Sequence, residues 1–220
     1  MFKSKKTVAI GIIGLGRFGM ALAKRLCELG KEVLVIDQNE SKVKELRSHT
    51  QYAFVANELT KEVLEEAGIQ NCEVVVVCIG EKIDVSILTT LNVVSLGVPK
   101  VIAKAISYEQ GCVLEKIGAE VVYPERDMAL RVAKKIVSHN VLDYISLSNE
   151  VELSEIKVNE KLIGQTVSGA NLRKQYGLNI IAIGTQGNIE TDIAPDYVFK
   201  ETDVVVVIGK KESISAFEMD

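Results

Sequence analysis

The chain has 220 residues, 47% hydrophobic and 25% charged, with a formal net charge of -4 and a pI near 5.4. That length holds one large or two small domains with a sound core. The acidic balance, the absence of tryptophan and the 5% aromatic content argue against nucleic-acid binding, which calls for a basic face or stacking platforms. The four cysteines (Cys27, Cys72, Cys78 and Cys112) make no CxxC pair and no zinc spacing. They read as small, buried hydrophobes in a reducing compartment.

Strand and helix alternate from the start. Residues 7–13 are a continuous apolar run, the type of a buried parallel strand. Residues 1–6 open like a signal peptide, but residues 8–15 are interrupted by glycines and run into Arg17 without a cleavage site. Neither a leader nor a membrane span is expected. Residues 14–19 turn the chain, and 20–29 form a helix with Ala21, Leu22, Leu26 and Leu29 on one stripe, stopped by Gly30. Strand 32–36 leads to Asp37. Helix 41–47 follows with Ser41 as its N-cap, then strand 52–55 and helix 60–67 capped by Thr60. Strands 73–79, 101–105 and 120–123 alternate with helices 83–96 and 108–117. This order predicts an α/β fold, a Rossmann-type doubly wound parallel sheet.

After Pro124 the pattern changes. Helix 127–142 is apolar on more than one face, through Ala129, Leu130, Val132, Ala133, Ile136, Val137, Val141 and Leu142. Such a helix is buried on two sides, so it is expected to cross between domains or subunits. Beyond it lie strand 151–158, a short helix within 166–175, strand 178–183, a hairpin signal at 184–187 and a strand near 203–208, a small α+β module. The expected domains are therefore 1–142, including the crossover helix, and 143–220.

Residues 14–19 read Gly-Leu-Gly-Arg-Phe-Gly, after a strand and opening a helix. Gly14 permits the tight turn, Gly16 lets backbone N–H groups approach a phosphate, and Gly19 lets helix and strand pack closely. Asp37, 18 residues beyond Gly19, suits ribose hydroxyls and disfavours a 2′-phosphate. Arg17 places a cation at a helix N-terminus, where it is locally unfavourable unless an anion is bound; a triphosphate gains more from it than a diphosphate. His49 and His139 are the only histidines and read as surface or capping residues. No nucleophile constellation or metal-ligand spacing occurs, so a sensor is expected rather than an enzyme, with a small NAD-dependent dehydrogenase or NAD(H) redox sensor as the alternative.

Four stretches carry a family resemblance: residues 11–19 (GIIGLGRFG), 35–37 (VID), 114–125 (LEKIGAEVVYPE) and 172–183 (LRKQYGLNIIAI). Together they resemble the RCK (KTN/TrkA-type) family, in the layout of the cytosolic regulatory subunit of Ktr potassium uptake systems, over essentially the whole chain. The resemblance implies an RCK N-lobe binding ATP or ADP, with ATP favouring the active state, and dimers assembled into an octameric ring beneath an integral membrane potassium channel subunit. It implies a cytoplasmic protein, peripheral on the inner face of the plasma membrane. The N-lobe positions it implies for the nucleotide are Gly14, Gly16, Arg17, Phe18, Gly19, Asp37, Gln38, Ala56, Asn57, Ile79, Gly80 and Lys104. Arg17 matches a contact to the γ-phosphate, and Glu125 an acid that holds a divalent cation, Mg or Ca, with ATP. In the C-lobe it implies inhibition by cyclic di-AMP at Val167, Asn171, Arg173, Asn179, Ile180 and Pro195. Two positions depart from the pattern: Asn171, where aspartate is frequent, and Ala56-Asn57-Glu58 in place of a Gly-Asp pair.

Overall fold

The valine- and isoleucine-rich segments of the first half build one parallel sheet. In the computed structural model, which describes residues 10–137, 141–185 and 188–219, its strands are β1 (Ile10–Ile13), β2 (Val33–Asp37), β3 (Tyr52–Val55), β4 (Val74–Val77), β5 (Lys100–Lys104) and β6 (Glu120–Val122). Their order is β3-β2-β1-β4-β5-β6 and every pairing is parallel. The chain reverses direction across the sheet between β1 and β4, the switch point where such folds hold ligands beyond the strands' carboxyl ends.

Helices α1 (Arg17–Glu28), α2 (Glu40–Leu46), α3 (Lys61–Glu66), α4 (Ile83–Ser95) and α5 (Tyr108–Ile117) connect these strands. Alternate strand residues feed two cores. Ile13, Leu34, Ile36 and Val77 pack with Leu64, Val93 and Leu114, while Ile12, Val33, Val35 and Val76 pack with Ala23, Val43 and Leu46. The cap of α2 is Asn39, not Ser41, because Asn39 Oδ1 accepts the Lys42 N–H at 3.2 Å. Thr60 caps α3 as expected, accepting the Val63 N–H. Helix α1 begins at Arg17, three residues earlier than expected, directly off the glycine turn.

By its contacts the chain divides into two compact units, Met1–Arg126 and Asp127–Asp220. The division falls in the first turn of α6 (Pro124–Val137), whereas the sequence reading draws the boundary at 142/143. Proline opens α6 because the first helical position needs no N–H. Val141 and Leu142, expected at the end of the helix, instead start β7 (Val141–Ser146).

The second unit is an antiparallel sheet of β7, β8 (Val151–Lys157), β9 (Asn179–Thr185), β10 (Asn188–Glu190) and β11 (Asp203–Lys210), in the order β10-β9-β11-β8-β7. The segment 166–175, expected to carry a short helix, carries two, α7 (Val167–Ala170) and α8 (Leu172–Tyr176), divided at Asn171, which adopts φ 43°. Asparagine tolerates this left-handed region better than most side chains. A closing helix, α9 (Lys211–Met219), buries Ile214 and Phe217 in the core of this unit. The hairpin signal falls partly outside the described residues, at 186–187; β9 and β10 pair antiparallel.

Within the second unit α6 is held by charge. Arg131 donates two hydrogen bonds to the Asp143 carboxylate, Lys135 lies 3.7 Å from it, and Lys134 pairs with Glu152. The Arg131 hydrogen bond holds the Asp143 carboxyl below the usual range. Glu152 is buried, also accepts from Ser154 Oγ, and Lys134 covers the Tyr144 ring at 4.2 Å. Glu152→Ala is expected to destabilise the second unit by about 3 kcal/mol, because it strands a half-buried ammonium. Urea unfolding followed by circular dichroism checks this; a loss below ~0.5 kcal/mol, the range of ordinary surface substitutions, contradicts it.

Candidate functional site

A cleft of about 600 Å³ opens over the carboxyl ends of β1, β2 and β4. That volume suits a nucleotide-sized ligand. Its base is the glycine turn. Gly14 sits at φ 97°, a left-handed conformation, and donates its N–H to the Ile36 carbonyl at 2.8 Å. Gly16 is the N-cap of α1 and makes no side-chain cap, and the helix opens at the cleft, which Gly16, Arg17 and Phe18 line. A Cβ built on Gly16 meets no protein atom within 4 Å, at an unstrained φ of -67°. No protein atom within 4 Å requires glycine there, and the space beside the backbone is open. Gly19 is different. It does not line the cleft, and a Cβ on it would lie 2.0 Å from the Gly14 carbonyl oxygen.

Asp37 ends β2 with both carboxylate oxygens engaged. One accepts the Leu15 N–H and the other the Asn39 N–H at 2.7 Å. The acid therefore also ties the glycine turn to the end of β2. A carboxylate offers about four acceptor positions, so two remain for ribose hydroxyls.

Arg17, Phe18, Gln38, Ala56, Asn57, Ile79, Gly80, Lys104 and Glu125 all line the same cleft. Lys104 Nζ lies 2.5 Å from Glu125 Oε1. This hydrogen bond is the main cause that keeps the Glu125 carboxyl below the usual range, with a smaller contribution from the charge of Arg17. Cys78 also lines the cleft, but burial pushes its thiol up to about 12, which disfavours the thiolate. Sequence reasoning missed Lys42, Thr60, Lys82 and Asn92 as lining residues. Asn92 had a legible signal, a lone amide on the apolar helix α4; its Nδ2 donates to the Leu59 carbonyl at 3.0 Å and anchors loop 56–60.

In the second unit, Val167 and Pro195 lie side by side. Val167 N–H donates to the Tyr197 carbonyl, and Ser168 N–H to the Pro195 carbonyl at 2.9 Å. Val167 and Ile180 pack half-buried on one core, while Asn171, Arg173 and Asn179 are exposed. None of the six lines the 250 Å³ hollow of this unit, which is bounded by Leu162, Ala170, Leu172, Tyr176 and Phe217. His49 is exposed and bonds Ser48 Oγ at 2.9 Å; His139 lies outside the described residues.

Among the described residues no three His, Cys, Asp or Glu side chains gather to hold a metal ion. Glu125 alone, paired with Lys104, does not make a cation site from protein atoms; a cation here needs phosphate oxygens as further ligands. No helix among the described residues is long and apolar enough to cross a membrane.

A doubly wound sheet with a glycine-based cleft at its switch point, followed by a small antiparallel module, defines a Rossmann-type ligand-binding protein with an appended lobe. Residues 10–124 match the TrkA-N domain and 151–219 the TrkA-C domain, and the chain belongs to this family, the RCK family of the glycine-loop resemblance. It is 40% identical over 214 residues to Ktr system potassium uptake protein A of Bacillus subtilis, covering 97% of this chain and 96% of that one. It is 43% identical over 208 residues to Ktr system potassium uptake protein C of the same organism, covering 94% of each. The GsuK channel bound to NAD shares the fold at a TM-score of 0.64 and 20% identity, over 99% of this chain and 40% of that one. GsuK bound to ADP gives a TM-score of 0.50 at 25% identity, over 61% of this chain and 35% of that one.

Proposed function

We propose that the chain is the nucleotide-sensing gating subunit of a potassium uptake system and performs no catalysis of its own. The observation that carries this reading is the cleft itself: an open cradle at Gly16, two cations at Arg17 and Lys104, and a cysteine whose thiol is held protonated. The likeness to Ktr system potassium uptake proteins A and C over nearly the full chain supplies the transport context. ATP and ADP are the proposed ligands, and the ADP-bound GsuK structure supports an adenine nucleotide. The loop 14–19 would hold phosphates through backbone N–H groups, Asp37 the ribose, and Gln38 with the 56–57 turn the adenine end. ATP supplies one more phosphate than ADP, which Arg17 and Lys104, both lining the cleft, would read. Glu125 would share a Mg or Ca ion with that phosphate.

The proposed partners are further copies of the chain, a dimer and then an octameric ring, and an integral membrane potassium channel subunit. That places the protein in the cytoplasm, peripheral on the inner membrane face. Cyclic di-AMP is proposed to bind the second unit through Val167, Asn171, Arg173, Asn179, Ile180 and Pro195. These residues do not line the hollow described in the second unit, and the ligand would sit between two copies. Gating from 1:99 to 99:1 takes about 5.5 kcal/mol of differential binding, or roughly 0.7 kcal/mol from each of eight coupled sites.

Titration calorimetry of the nucleotide-free protein with ATP, ADP, NADH and cyclic di-AMP tests the reading. ATP and ADP at one site and cyclic di-AMP at a second support it; binding of NADH alone replaces it with a redox sensor. Arg17→Ala is expected to keep ADP affinity and to lose about tenfold of the ATP/ADP ratio, the scale of one charge-assisted hydrogen bond. An unchanged ratio removes Arg17 from its role.

A further inference from the structure

We propose that Glu125 is a built-in competitor for phosphate: its carboxylate holds Lys104 until a phosphate group takes its place. This rests on the nucleotide reading of the cleft. Lys104 is 11% exposed and Glu125 58% exposed, at the two ends of a 2.5 Å ion pair. The cation is therefore the fixed partner and the anion the one that can leave. Lys104 comes off the end of β5 and passes over Gly80, where a Cβ would lie 3.2 Å from its Nζ. The missing side chain gives the ammonium its seat.

A cation this enclosed is costly unless an anion answers it. Carboxylate and phosphate are both oxyanions that satisfy an ammonium as a point charge. The cleft that holds Lys104 also holds the glycine turn and Arg17, so a phosphate group drawn there meets a cation already in use. Exchange keeps Lys104 paired and releases Glu125, which sits in the first turn of α6. Nucleotides then bind against an internal anion, and those with more phosphate charge displace it better.

Without a divalent cation the carboxylate competes with phosphate; once released it is free to share a Mg or Ca ion with ATP as proposed above, and the sign of a substitution measured without metal isolates the competition. A carboxylate that bridges a metal ion to phosphate favours binding, and its removal weakens it. A competitor's removal strengthens it. The test is calorimetry of the full chain in EDTA, with ADP and with adenosine, for the wild type, Glu125→Gln, Lys104→Met and the double variant.

Glu125→Gln is expected to bind ADP about threefold to fivefold more tightly, the scale of a partly exposed ion pair, with adenosine affinity unchanged. In the Lys104→Met background the same change is expected to have no effect, closing a double-mutant cycle. Unchanged or weaker ADP binding by Glu125→Gln overturns the proposal, as does an equal gain without Lys104 or an equal gain for adenosine. Glu125 is exposed, so this variant decides the matter even if Lys104→Met does not fold. A wild type that binds no ADP instead overturns the nucleotide reading, and this proposal with it.

Discussion

Gly19→Ala is expected to lower the melting temperature of the first unit by roughly 10 °C, about 3 kcal/mol, while Gly16→Ala leaves it within 2 °C or so. The two glycines stand three residues apart in one motif and answer to different constraints. A Cβ on Gly19 would lie 2.0 Å from the Gly14 carbonyl oxygen and 3.1 Å from Cys78 Cβ. Both neighbours are backbone or rigidly placed, so α1 must retreat from the β1 turn, and buried Ala23 and Val35 lose packing with it. A Cβ on Gly16 meets no protein atom within 4 Å, so folding tolerates it. Its cost falls on the ligand instead. The methyl group occupies the space a phosphate needs to reach the N–H groups at the start of α1, and about two charge-assisted hydrogen bonds are lost. ADP affinity should fall roughly 100-fold. Thermal melts with and without ADP separate the cases. A Gly16→Ala protein with native ADP affinity would falsify the assignment of the cradle, and a Gly19→Ala protein with native stability would show that α1 can yield.

The parallel sheet was legible because it rests on backbone periodicity and turn residues. Valine-rich runs, the cap at Thr60 and the glycine turn each act locally and agree with one another. The lining of the cleft was legible as far as the motif reaches. Asp37 was expected to face a ligand. Its hold on the Leu15 and Asn39 N–H groups was not, since that depends on how the turn folds back over β2. Lys42 reaches the cleft from α2, and Lys82 and Asn92 from the N-cap and the body of α4, a convergence no spacing encodes. The end of α6 was missed because Val141 and Leu142 extend its apolar pattern, and a short apolar run fits helix and strand alike. Helix α9 escaped for the opposite reason. It has nine residues, and its stability comes from seating Ile214 and Phe217 in the core.

Ile136→Asp is expected to weaken self-association at least 100-fold, because α6 turns its charged side inward and its apolar side out. Apolarity was read correctly along this helix, but burial on two sides does not occur within one chain: no residue of α6 is buried. At about 100° per residue, Met128, Val132, Ile136, Ala133, Val137 and Leu130 cover an arc of roughly 200°. Arg131 and Lys134 fall in the remaining arc and are tied to Asp143 and Glu152 of their own unit. Ile136 is 75% and Val137 77% exposed, which reverses the usual order of a surface helix. An exposed stripe of this kind marks a protein interface. A second copy presenting the same stripe covers it most simply, since a two-fold interface pairs one patch with itself. A charge at Ile136 is then buried without a partner, at a cost above about 2 kcal/mol per copy. Sedimentation velocity across a concentration series should show the wild type associating and the variant as a monomer. Because the side chain touches solvent in the single chain, the melting temperature of the monomeric variant should not fall below that of diluted wild type. Association that survives Ile136→Asp would assign this face to a different partner, with the membrane subunit as the next to test.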